Sequence, residues 1–123
     1  MGLFFQFSFF LFSHFYFWID RNFALCKYLI SKGSNLQSKD GAGWTPLHVA
    51  CNLPNIEIAN FLIKSGAGVM TISSSGSIPL HYLSRRIPKK GQEDSFFKLI
   101  LNMMENGASI NAQNNYGETP LHG

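Results

Sequence analysis

Apolar positions along this chain fall into blocks that alternate with short polar, glycine-bearing stretches. "PLHVACN", residues 46–52, is short and mostly apolar, and it predicts a brief helix. In "IEIANFLIKSGA", Ile56, Ile58, Ala59, Phe61, Leu62 and Ile63 are spaced for a longer helix that is apolar on most of its surface. Thr45 is positioned as an N-cap, and Pro46 suits the first turn, where its missing N–H is no loss. Gly66 provides the C-terminal stop of the longer helix. "SKDGAGW", "SSSGS" and "QNNYGE" read as turns. One unit is therefore turn, short helix, turn, longer helix, and the expected class is all-α.

The unit repeats. Thr45, Ile78 and Thr119 fall in register, followed by Pro46, Pro79 and Pro120, by Leu47, Leu80 and Leu121, and by His48, His81 and His122. The steps are 33 and 41 residues. Gly43, Gly76 and Gly117 upstream keep the same offsets, as do Gly33, Gly66 and Gly107 downstream, so two independent landmarks give one period. The longer second step is assigned to an inserted surface loop, "IPKKGQED", residues 87–94, which carries Pro, Gly and charges. The expected organisation is an N-terminal segment 1–21, a partial unit 22–39, a unit 40–72, a unit 73–113 holding the insert, and a partial unit 114–123.

Composition changes this picture in one place. Eight of the twelve Phe lie between Phe4 and Phe17, and "MGLFFQFSFFLFSHFYFWID" has no counterpart of the repeat. Three readings stay open for it: a signal or membrane segment over 3–19, a hydrophobic cap on the array, or a gene-model artefact. The apolar run is near the lower limit of a span. However, no Lys or Arg precedes it, and Gln6, Ser8, Ser13 and His14 interrupt it.

Charge adds little. The net charge is +3 and only 14% of residues are charged, which argues against a dedicated nucleic-acid binder. Cys26 and Cys51 sit inside apolar runs, a placement that predicts buried free thiols and a reducing compartment.

The three histidines are candidate metal ligands, catalytic bases or structural pins. Helices in stacked units lie about 10 Å apart, which is too far for shared bonds of about 2 Å to one metal. No GxxxxGK[ST], GxSxG or HExxH motif is present, and the acidic residues are scattered. No enzyme, cofactor, metal or small-molecule substrate is expected of this segment.

The register and its motifs resemble the ankyrin repeat, a unit of about 33 residues of the form D-x-x-G-x-T-P-L-H-x-A-A followed by an E-I-V-x-L-L-L-x-x-G-A helix. "DGAGWTPLHVAC" and "NIEIANFLIKSGAGV" follow that pattern closely, and the likeness covers roughly residues 22–123. It departs at Ile78, which replaces Thr, and at Pro54, which stands where the family tends to have a Gly of positive φ. The resemblance implies a solenoid of stacked helix–turn–helix units with projecting β-turn fingers. It also implies that the Thr–Pro–Leu–His block is structural, the Thr hydroxyl and His ring tying backbone groups together. His81, without a Thr partner, is expected to lose one local bond.

The implied function is non-catalytic binding of a protein through a concave face of finger tips and inner helices. Matching the family's variable positions gives Gly41, Ala42, Trp44, Asn52 and Leu53 as contact candidates in the first complete unit. Ser74, Ser75, Ser77, Arg85 and Arg86 follow in the next unit, and Asn115, Tyr116 and Glu118 in the last. Trp44 and Tyr116 are the expected anchors. Arg85, Arg86, Lys89 and Lys90 hold four of the ten basic residues within six positions. They are read as one basic lip for an acidic or phosphorylated protein partner. The expected location is cytoplasmic. Rival readings are a membrane-anchored repeat protein and a regulatory segment of a larger signalling enzyme, such as a kinase or small-GTPase regulator. At the C-terminal end, Leu121 and the apolar face bearing Leu99, Ile100, Met103 and Met104 are expected to be exposed.

Overall fold

The computed structural model describes residues 35–121 together with Ala24, Tyr28 and Ser31, which are helical and exposed. The segment 1–21, the thiol of Cys26 and the ring of His122 lie outside the described residues. Helix α1 spans Pro46–Asn52 and α2 spans Ile56–Lys64. Helix α3 spans Pro79–Ser84 and α4 spans Glu93–Glu105. No strand occurs among the described residues.

Each helix starts where its sequence directs. Thr45, in an extended conformation, accepts from the N–H of His48, and Pro46 occupies the first turn of α1. Asn55 caps α2, its Oδ1 accepting from Ile58 N–H at 3.1 Å. Both longer helices end in the same way. Gly66 and Gly107 adopt φ of 102° and 106°, and the next N–H folds back onto the helix: Ala67 to Leu62 O and Ala108 to Met103 O, both 2.9 Å. The shared terminator supports the 41-residue register.

The Leu53–Pro54 peptide bond in the α1–α2 turn is cis. The insert behaves differently from the sequence reading. Its loop ends at Gln92 instead of Asp94, because Glu93 and Asp94 form the acidic first turn of α4, where a negative charge suits the helix dipole. The extra length thus goes partly into the helix: α4 has 13 residues against nine in α2.

Helix α1 packs on α3 and α2 on α4, while α1 with α2 and α3 with α4 form the two pairs. Leu47, Cys51, Leu62, Leu80, Leu83 and Leu99 are buried between them. Leu99 and Met103 were expected on the open end, but both are fully buried, since they face the preceding helices with Phe96. The exposed apolar stripe of α4 is Phe97, Leu101 and Met104, with Leu121 also exposed.

Fingers precede α1 and α3, and a third follows α4. In the first, Asp40 Oδ1 accepts from Ala42 N–H and Trp44 N–H, each at 2.9 Å. Asn114 does the same in the third, for Tyr116 and Glu118. These side-chain bonds add to the backbone turn bonds from Gly43 N–H to Asp40 O and from Gly117 N–H to Asn114 O, both 3.0 Å. Successive fingers join through one backbone bond each, Ser74 N–H to Ala42 O at 3.0 Å and Asn115 N–H to Ser75 O at 2.8 Å.

Candidate partner-binding site

His48 and His81 are both tied to backbone groups. His48 Nδ1 accepts from Thr45 N–H at 3.0 Å and lies 2.9 Å from the Thr45 hydroxyl. Its ring proton therefore sits on Nε2 and is donated to Ser77 O, 3.0 Å away in the next unit. Burial holds the His48 pKa below its usual value, and the bond to Ser77 opposes this only in part. His81 repeats the arrangement with Ile78 N–H and Glu118 O, at 3.0 and 2.9 Å, and lacks only the hydroxyl contact. Cys51 is a buried free thiol whose pKa is pushed up by burial. Among the described residues, no group of three His, Cys, Asp or Glu side chains converges on a metal position. No helix among them is long and apolar enough to cross a membrane.

The predicted contact residues separate into three groups. Gly41, Ala42, Ser74, Asn115 and Tyr116 stand exposed on the fingers, Tyr116 most of all at 77%. Trp44, Asn52, Leu53, Ser75 and Glu118 are half-buried. Ser77 is buried at 1% exposure, which removes it from the contact surface. Its hydroxyl meets Ser75 Oγ at 2.9 Å and accepts from Asn114 Nδ2 at 3.2 Å, and its carbonyl serves His48. Asn114 lies in the next unit, so sequence spacing gave no sign of this pairing.

Trp44 is held by Tyr82 of the following unit, at a centroid distance of 4.5 Å. Tyr82 also stands edge-on to His48 at 5.6 Å, and its hydroxyl lies 2.9 Å from Ser73 Oγ. Sequence reasoning missed Tyr82. The available signal was size: Tyr82 occupies the register position of Val49, where a ring of this size cannot be buried in the same way.

The basic cluster is divided. Arg85 reaches forward to Glu118, Nη2 to Oε1 at 2.9 Å. Arg86 reaches back, its Nη2 donating to Asn52 Oδ1. Lys89 and Lys90 are exposed on the loop, and Lys89 borders a hollow of about 500 Å³ against Leu53, Ile56 and Glu57. One continuous lip is therefore replaced by two arginines pointing to opposite neighbours, with the lysines on the loop that follows.

This stacking of capped helix pairs through histidine–backbone bonds defines a repeat solenoid. A family model for ankyrin repeats, in three copies, matches residues 15–94, and the chain belongs to the ankyrin repeat family, whose units are protein-interaction modules. The match reaches into the segment that the repeat register left out. Ankyrin repeat protein OPG189 of Variola virus is 28% identical over 80% of this chain and 16% of its own length. Probable 26S proteasome regulatory subunit p28 of Saccharomyces cerevisiae is 31% identical over 80% of this chain and 42% of its own. Protein phosphatase 1 regulatory subunit 27 of Homo sapiens is 38% identical over 50% of this chain and 40% of its own. The chain thus spans less than half the length of each of these relatives.

Proposed function

We propose that this chain is a non-catalytic adaptor segment that binds a protein through its finger tips and the exposed side of its inner helices, and that the bound segment is acidic or phosphorylated. The observation that carries the partner's chemistry is the Arg86 contact. Asn52 orients the guanidinium but is neutral, so the charge stays available to a carboxylate or phosphate. Lys89 and Lys90 add two exposed cations nearby. Tyr116 is the aromatic anchor of this reading, supported by its exposure; Trp44 contributes only the edge not covered by Tyr82.

A non-catalytic role is supported by the engagement of His48 and His81 with backbone groups. A cytoplasmic location belongs to the same proposal, supported by the free thiol of Cys51. Service as a regulatory part of a larger assembly is a second reading, supported by the two relatives whose names call them regulatory subunits.

The test uses a fluorescein-labelled hexaglutamate peptide and its hexaglutamine counterpart, followed by anisotropy. The chain should bind the acidic peptide alone, with an affinity that falls steeply with salt. Reversal of Arg86 and Lys89 to Glu should abolish binding while helical content is kept. Equal binding of both peptides, or undiminished binding by the reversed variant, refutes the proposal.

A further inference from the structure

Glu118 occupies the same kind of position toward Arg85 that an acidic partner would take. Its Oε1 receives Arg85 Nη2 at 2.9 Å and Asn114 Nδ2 at 3.0 Å. Asn114 in turn bonds Ser77 Oγ, so the carboxylate is held in place from the buried base of the finger. Arg85 and Glu118 are 45% and 37% exposed, which leaves their contact open to competition from solvent-borne anions. Arg86, next in sequence, has a neutral acceptor instead. The two arginines at the end of α3 are thus unequal: one is already paired with an internal acid and the other is not.

We propose that Glu118 is an internal competitor of the acidic partner, holding Arg85 closed until a ligand already engaged at Arg86 exchanges for it. This rests on the acidic-partner reading above. The exchange is cheap, because an exposed ion pair contributes little and is screened by salt. The exchange also selects. A segment with a single anionic group gains Arg86 alone, whereas one with a second anion spaced along the stack gains Arg85 as well. Since Arg85 reaches the following unit and Arg86 the preceding one, the second anion lies toward the third finger and Tyr116.

The experiment is a double-mutant cycle on the full chain, read by anisotropy of labelled hexaglutamate. Glu118→Gln keeps an oxygen for Asn114 and removes the charge, and circular dichroism verifies that helical content is unchanged. An exposed unit charge acting at about 4 Å is worth on the order of 1 kcal/mol, so Glu118→Gln should bind about fivefold more tightly than the unmodified chain. In an Arg85→Ala background the same substitution should bring no more than about a twofold gain, because no cation is released. A full gain that persists in the Arg85→Ala background shows a diffuse charge effect and overturns the proposal. Tight binding by the unmodified chain with no gain in Glu118→Gln overturns it while leaving the acidic-partner reading intact. Failure of every variant to bind hexaglutamate removes both.

Discussion

His48 Nε2 donates its proton to Ser77 O across 3.0 Å, and this buried bond joins two consecutive units. Removing the ring leaves that carbonyl with Ser73 N–H as its remaining donor and leaves the buried Thr45 N–H without its Nδ1 acceptor. His48→Ala should cost at least about 1–3 kcal/mol, read as a lower urea midpoint. Burial of the same ring sets a pH dependence, which the bond to Ser77 only partly offsets. The folded pKa lies below the ordinary histidine value of about 6.5, so below about pH 6.5 the unfolded chain binds the proton that the folded ring refuses. The His48 contribution is fully present above pH 6.5 and is lost as pH falls toward the folded pKa. Urea midpoints should drop between pH 7.5 and 5, and His48→Gln should flatten that drop. An unchanged slope in His48→Gln would remove His48 as its source.

Ile78 stands at the N-cap of α3, is 2% exposed and makes no side-chain cap bond. Comparing Ile78→Thr with the isosteric Ile78→Val isolates the hydroxyl that Thr45 supplies one unit earlier. The Thr variant should be the more stable of the two by about 0.5–2 kcal/mol, the usual worth of an N-cap. Equal thermal midpoints would mean that burial cancels the cap.

Gly43 and Gly117 share nearly the same backbone, with φ of 75° and 77°. A Cβ on Gly43 would meet Ser74 N at 2.8 Å, whereas one on Gly117 meets nothing within 4 Å. Alanine at either site carries the left-handed penalty of about 1–2 kcal/mol. Only Gly43→Ala also pushes on the finger bond between Ser74 and Ala42. It should be the less stable variant, and hydrogen exchange at Ser74 N–H should accelerate in it alone.

Leu62 is fully buried where α2 meets its neighbours. Leu62→Ala should cost roughly 2–5 kcal/mol by urea denaturation. Retention of the full midpoint would show that the site collapses around the smaller side chain.

Much of the fold is legible because the decisive features are local. Thr45, Pro46 and His48 carry the start of α1 within four positions, and the paired glycines carry the ends of α2 and α4. What escaped the sequence is set across units. Ser77 looks like a finger residue until Asn114, 37 positions away, closes over it. Trp44 looks like an exposed anchor until Tyr82 covers it. The start of α4 is hard to read because Glu93 and Asp94 resemble loop residues, although their charge favours a helix N-terminus. Helix α4 carries two apolar stripes, and spacing alone does not say that the one bearing Leu99 and Met103 turns inward. Of the basic cluster, the composition was readable. The opposite directions of Arg85 and Arg86 were not, because each partner comes from a different unit.

The insert before α4 has a geometric consequence for recognition. Helix α4 begins four residues earlier than α2 in the common register, an overhang of about 6 Å at 1.5 Å per residue. A surface built from equal units presents the same relief at each step, so an extended ligand can slide by one unit and find nearly the same contacts. The overhang, with the hollow that Lys89 borders beneath it, breaks that translational symmetry. It gives the array an origin: a ligand that fits against the step has one register and one polarity.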